Sequence, residues 1–234
     1  MNFKCNDVII LSLFLTLLVL SCQKKDLNKI ENTNINNSKK LFSEYLKTNN
    51  KDFLEKSYFS LNKDKEFQKN GIASANLSFV ISLYLYVNKY KELSNLLVKF
   101  KTNDEKLNFL KSYNYNFANY LMYYPEDSIK AINFINNNIN LINLELKNNP
   151  KDSLLYLGYF YSLYLKNLNN KEFVLDKIDS MQLVNKNFSS LFYNIYLKQS
   201  INEYPKELLP KNIFFIENNK KENLNFIRMS PVPK

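Results

Sequence analysis

The side chains able to do chemistry in this 234-residue chain are few, and the most versatile are missing. There is no histidine, so the base that titrates near neutral pH is absent, together with Ser–His and Cys–His pairs and most transition-metal sites. Gly71 and Gly158 are the only glycines, which excludes a phosphate-cradling loop, a dinucleotide fingerprint and a nucleophile elbow. Carboxylates, tyrosines and two cysteines remain. Asp176 and Asp179 stand one helical turn apart and would share a face, an arrangement suited to Ca²⁺ or to flanking a glycosidic bond. Asp104-Glu105 and Glu126-Asp127 are the other acidic pairs. Lys177 separates the first two, and acids near helix starts serve the helix dipole. These pairs are read as structural. The sequence predicts no catalytic residue, no metal site and no cofactor; the protein is expected not to be an enzyme.

The tyrosines offer a different chemistry, flat apolar area with a hydroxyl at the tip. Tyr84, Tyr120, Tyr123, Tyr156, Tyr161 and Tyr164 recur on aromatic segments and form a candidate binding face. The competing role is filler between helices. Because the stretch Ile72–Asn88 is apolar nearly all round, burial accounts for most of these rings.

Of the cysteines, Cys5 lies in the N-terminal leader and Cys22 ends it. Lys4 and the amino terminus precede an apolar run, Val8 to Leu20, of about thirteen residues, too short for a ~30 Å hydrocarbon core. Val19-Leu20-Ser21-Cys22 follows: an aliphatic residue three before the cysteine, a small one just before it, then the thiol. This stretch resembles the lipobox of bacterial lipoproteins. The resemblance implies cleavage between Ser21 and Cys22, acylation of Cys22, and a membrane partner held through the lipid. Each buried methylene contributes about 0.8 kcal/mol, so two or three acyl chains hold a protein where one would not. Gln23 follows the cysteine where inner-membrane retention uses Asp, which implies the outer membrane. The leader ending resembles those of Bacteroidota lipoproteins, and Gln23-Lys24-Lys25-Asp26 matches in part the surface-export signal found in some of them.

Removal of residues 1–21 would leave Cys22 and a polar stretch through residue 38, read as a flexible tether of about 20–25 Å average reach. With 45% apolar and 15% aromatic residues, the remainder has material for one ordinary core. Net charge is +10, yet the lysines are spread along the chain and Arg228 is the sole arginine. That distribution points to a solvated basic surface and to no nucleic-acid partner.

The body reads as all-α. Ile129, Ile132, Ile135, Ile139, Ile142 and Leu146 step by three and four, with Lys130, Asn133, Asn137 and Asn140 between them. Tyr90, Leu93, Leu97 and Phe100 do the same. Pro125 and Pro150 are expected at helix starts, Pro125 just inside the first turn. Ser82-Leu83-Tyr84-Leu85 recurs as Ser162-Leu163-Tyr164-Leu165, eighty residues on, and Lys91-Glu92 recurs as Lys171-Glu172. Asn119 to Tyr124 is a looser copy, and Leu191 to Leu197 a fourth aromatic segment. An aromatic helix followed by a polar-faced one every ~35–45 residues is the pattern of helical-hairpin repeats.

Over residues 72–182 the chain resembles degenerate tetratricopeptide (TPR) repeats. Leu157-Gly158 with Tyr161 carries the likeness after Asn149-Pro150, as does Asp127 to Ile132 at a second-helix start. The resemblance implies an α-solenoid whose first helices line a concave face. The expected organisation is leader 1–21, lipidated Cys22 and tether 22–38, helical repeats 39–204, and a C-terminal cap or tail 205–234. In that tail, Ile213 to Ile216 and Leu224 to Ile227 suit a short β-hairpin or a cap on the last helix pair. The expected function is a membrane-tethered, non-catalytic interaction module for an envelope protein or peptide. The alternatives are a glycan- or nutrient-capture lipoprotein and an immunity-type lipoprotein that neutralises a toxin.

Overall fold

The computed structural model describes residues 34–168, 170–199 and 201. The lipobox, Cys22, the start of the tether and the tail 205–234 lie outside them. Among the described residues the fold is all-α, with no strand, and no helix is long and apolar enough to cross a membrane. The helices are α1 (Asn34–Thr48), α2 (Lys51–Asn62), α3 (Lys65–Asn70), α4 (Leu77–Tyr86), α5 (Tyr90–Lys99), α6 (Glu105–Tyr123), α7 (Ser128–Asn148), α8 (Ser153–Lys166) and α9 (Lys171–Val184). A π-wound segment, Phe192–Gln199, follows. They group into two compact units divided between Lys111 and Ser112, within α6.

In the first unit α1 begins at Asn34, inside the stretch assigned to the tether. The correction has a clear cause. Asn34 Nδ2 donates to Lys63 O at 3.1 Å, Ile35 N donates to Asp64 Oδ2 at 3.2 Å, and Ser38 is fully buried. Tertiary partners on the α2–α3 side stabilise a helical start that composition alone reads as loop. α1 and α2 pack closely because serines meet where they cross. Ser38 Oγ donates to Ser57 O at 2.7 Å, Ser57 Oγ donates to Ser38 O at 2.8 Å, and Ser60 Oγ donates to Asn34 O at 2.8 Å. Beside this polar seam lies an aromatic core. Phe42 and Tyr45 of α1 meet Tyr86 of α4 edge-on at 5.5 and 5.6 Å.

α4 itself is shorter than the apolar stretch suggested, because Ser74–Asn76 form a 3₁₀ turn ahead of it. Gly71, at φ +72, ends α3 in a conformation that side chains resist.

In the second unit the alternation read in α7 holds at its centre. Ile135, Ile139 and Ile142 are buried, while Lys130, Asn133, Asn137 and Asn140 are exposed. Ile129 departs from it and is 78% exposed, because it stands one residue into the helix, before the packed stretch begins. Asn138 is buried although polar: its Nδ2 donates to Tyr113 O at 3.1 Å and its Oδ1 accepts from Asn116 Nδ2 at 2.9 Å. That satisfies a group whose burial would otherwise cost stability. α7 lies close along α8, where a Cβ on Gly158 would sit 3.4 Å from Ile142 Cδ1.

Neither proline opens a helix. Pro125 and Pro150 fall in the turns before α7 and α8, and aspartates cap those helices. Asp127 Oδ1 accepts from Lys130 N at 2.9 Å, and Asp152 Oδ1 from Leu154 N at 2.9 Å.

The two units repeat a local pattern. Leu77, Val80, Ile81 and Tyr84 of α4 are buried, and so are their counterparts eighty residues on, Leu157, Phe160, Tyr161 and Tyr164 of α8. In the following helices the matching buried pairs are Leu93 with Val174 and Leu97 with Ile178, eighty-one residues apart. The Lys91-Glu92 and Lys171-Glu172 match is therefore out of register by one. The turn after α4 has three residues, 87–89, with Asn88 at φ 61, whereas α8 ends at Lys166 and α9 starts at Lys171, one residue further on. One extra residue there shifts the second helix against the first.

Candidate functional site

Four of the six tyrosines on the candidate face are core. Tyr84 is 2% exposed, Tyr120 0%, Tyr161 4% and Tyr164 1%. A partner would have to open the core to reach them. The distribution follows from helix geometry: α4 and α8 are apolar all round, so neighbours cover the rings on several sides.

Tyr84 belongs to the first unit. Its ring stands edge-on to Tyr58 at 5.4 Å, and its hydroxyl donates to Asn62 Oδ1 at 3.1 Å. Burial pushes that phenol up to about 12. In the second unit burial likewise pushes Tyr113 up to about 12. A phenol whose folded value is raised stays neutral in the folded protein after the unfolded chain has begun to ionise near 10. Its contribution is complete below pH ~10 and is lost as pH rises toward about 12. A spectrophotometric phenolate titration should show Tyr84 and Tyr113 ionising late, together with the loss of helical circular dichroism. Reversible ionisation near 10 of every tyrosine would contradict that burial.

Tyr120, Tyr161 and Tyr164 bring their phenols together in the second core. Burial raises Tyr120 far above its ordinary value, reinforced by Tyr124, Tyr161 and Tyr164. Its ring stacks on Phe117 at 6.5 Å and tilts against Tyr124 at 5.4 Å. The hydroxyl of Tyr120 has no hydrogen-bond partner among the described residues. Tyr120→Phe is accordingly expected to leave stability unchanged or raise it by about 1 kcal/mol, since a buried unsatisfied hydroxyl is removed without changing the ring. A urea melt showing a loss above about 1 kcal/mol would mean that the hydroxyl is hydrogen-bonded after all.

Tyr123 and Tyr156 keep part of their surface open. Tyr123 stacks on Phe134 at 5.8 Å with planes 2° apart, and Lys130 Nζ sits 3.7 Å from its ring centroid. Tyr156 stands edge-on to Phe188 at 5.2 Å and accepts a hydrogen bond from Asn185 Nδ2 at 3.0 Å. Tyr123 ties α6 to α7, and Tyr156 ties α8 to the loop after α9.

Three of the candidate carboxylates have structural partners. Asp104 Oδ1 accepts from Leu107 N at 3.0 Å at the start of α6, and Asp127 caps α7. Asp179 is ion-paired with Lys198 of the π-wound segment, so it is committed to packing that segment on α9. Among the described residues no three His, Cys, Asp or Glu side chains gather as a metal site would require.

Compared with family models, curated proteins and solved structures, the chain matches none.

Two features escaped the sequence reading. One is a cluster in the first unit. The Tyr58 hydroxyl donates to Glu92 Oε2 at 2.6 Å, Lys89 Nζ lies 3.4 Å from Glu92 Oε1, and the same Nζ stands 5.8 Å from the Tyr58 ring centroid. Burial, then the bond to Glu92, raises the Tyr58 phenol, so it is poised to hold its proton and not to act as a base. Its partners come from α2 and α5, thirty-four residues apart, and no spacing rule connects them. The other is a group of exposed apolar side chains late in the second unit, where Leu183 is 74%, Val184 81% and Leu191 53% exposed. The Asp179–Lys198 pair holds α9 beside the segment that carries Ile195, itself 41% exposed.

Proposed function

We propose that the protein is a non-catalytic, lipid-anchored helical-repeat lipoprotein that binds another protein or a peptide in the cell envelope, at the outer membrane. The anchor rests on Val19-Leu20-Ser21-Cys22 after a short apolar run. The interaction reading rests on one observation above the others, the exposure of the large apolar side chains Leu183, Val184, Leu191 and Ile195 in α9 and the stretch that follows it. Leaving four large apolar side chains open within one short stretch of chain is costly in water, and exposed apolar surface is where partners bind. The acids and buried tyrosines meanwhile serve caps, an ion pair and cores, which leaves this surface as the better binding candidate.

The test is crosslinked capture of the full-length tagged protein from its own cells, beside the double variant Leu183→Asp, Val184→Asp. Those positions are already exposed, so the variant should keep its helical circular dichroism and melt. One dominant envelope protein captured by the wild type and lost in the variant supports the reading. An identical set from both, or none from either, removes it.

A further inference from the structure

The division into two units reveals an asymmetry that the even spread of lysines conceals. Residues 34–111 hold fourteen Lys against eight Asp and Glu, net +6, whereas residues 112–201 hold eight against seven, net +1. The charge therefore sits in the unit next to the lipidation site. Eleven residues lie between Cys22 and Asn34, a reach of at most about 40 Å at full extension. A lipid on Cys22 keeps that basic unit beside a membrane.

One part of its surface suits contact. Phe59 on α2 is 58% exposed, and its ring meets Tyr58 edge-on at 6.0 Å. Lys56 and Lys63 stand three residues before and four after it, on the same stripe of the helix or its cap, and both are exposed. Glu55 shares that stripe. The bond from Tyr58 to Glu92 brings the start of α5 alongside, and Lys89 engages Glu92 from the same side. Lys91, exposed, is a further cation of the start of α5. An aromatic ring open to solvent among lysines combines an interfacial anchor with attraction to acidic headgroups.

We propose that the first unit docks through Phe59, Lys56, Lys63 and Lys91 onto an anionic lipid surface, as a second membrane contact beside the acyl anchor. This rests on the lipoprotein reading. The acyl chains hold the chain to the bilayer, and a basic patch would add a second contact that orients the first unit on it. The contact would also hold the first unit at the bilayer and leave the second free for a protein partner.

The experiment uses the mature chain without its lipid, residues 23–234, so that the acyl chains contribute nothing. It is sedimented with phosphatidylcholine vesicles, with or without phosphatidylglycerol, in salt of about 0.1 M and about 0.5 M, a range that shortens the screening length from ~10 Å to ~4 Å. The expected result is binding to the anionic vesicles alone, lost at the higher salt. Each lysine near such a surface contributes about five-fold. The triple variant Lys56→Glu, Lys63→Glu, Lys91→Glu should therefore weaken binding at least ten-fold, and Phe59→Ser several-fold, with melts unchanged. The control triple in the second unit, Lys147→Glu, Lys151→Glu, Lys166→Glu, should bind like the wild type. Equal partition to neutral and anionic vesicles overturns the proposal, as does the same loss from both triples. Fatty-acid labelling of Cys22 reads the lipoprotein assignment separately, so each can fail alone.

Discussion

Cys22→Ala is expected to bring fatty-acid incorporation down to background and to shift most of the protein out of the membrane fraction. The thiol is the acceptor that the Val19–Cys22 motif implies, and alanine removes that nucleophile without adding a new group. A chain of about fourteen buried methylenes at about 0.8 kcal/mol each gives some 11 kcal/mol before the costs of association, and two or three chains make release negligible. The apolar run Val8 to Leu20 cannot replace that anchor, since about thirteen helical residues reach only ~20 Å of a ~30 Å core. Metabolic labelling with a fatty acid, read together with fractionation and the intact mass, checks both halves. Undiminished labelling in the variant would end the lipoprotein reading and, with it, the reason for placing the basic unit at a membrane.

Ser57→Leu should be the most destabilising conservative-looking change in the first unit. Ser57 is fully buried where α1 crosses α2, and it exchanges hydrogen bonds with Ser38 through both side chains and both carbonyls. A leucine there both overpacks a crossing set by serine-sized side chains and removes the hydroxyl that donates to the buried Ser38 carbonyl. Overpacking costs about 1–3 kcal/mol and a lost buried partner about 1–3 more. The expected total of roughly 2–6 kcal/mol is a large share of a domain's 5–15 kcal/mol. Ser57→Ala, which opens no clash, should cost about 1–2 kcal/mol. Thermal melts of the two variants separate the effects. If leucine were tolerated as well as alanine, the close serine contact would not be what sets the α1–α2 distance.

The same crossing shows why the tether boundary was misplaced. Asn34 to Ser38 is polar and weakly amphipathic, so nothing in its local pattern distinguishes helix from loop. Its helix exists because Lys63, Asp64, Ser57 and Ser60 receive it, and those partners lie nineteen or more residues away. The candidate tyrosines show the opposite case. Their recurrence is written in the chain, but whether a ring on an all-round apolar helix faces a neighbour or a ligand depends on what covers it, and for Tyr84, Tyr120, Tyr161 and Tyr164 neighbours do. The exposure of Leu183 and Val184 carried no signal, because an apolar residue in sequence looks the same whether covered or bare.

What the sequence determined by itself is therefore what depends on residue type and short-range spacing. Scarce glycine, apolar residues at steps of three and four, and the eighty-residue echo of the Tyr84 and Tyr164 segments are local quantities, and they made the chain all-α and repetitive. The absence of histidine and of glycine-rich loops restricted its chemistry in the same way. The tertiary structure decided what depends on distant neighbours. It set the one-residue slip between α5 and α9, the helical start at Asn34, the commitment of Asp179 to Lys198, and the division that gathers net charge into residues 34–111. Helix formation responds to neighbours three or four residues away, whereas register, burial and the partner of a charge are settled by whichever elements the chain folds against them.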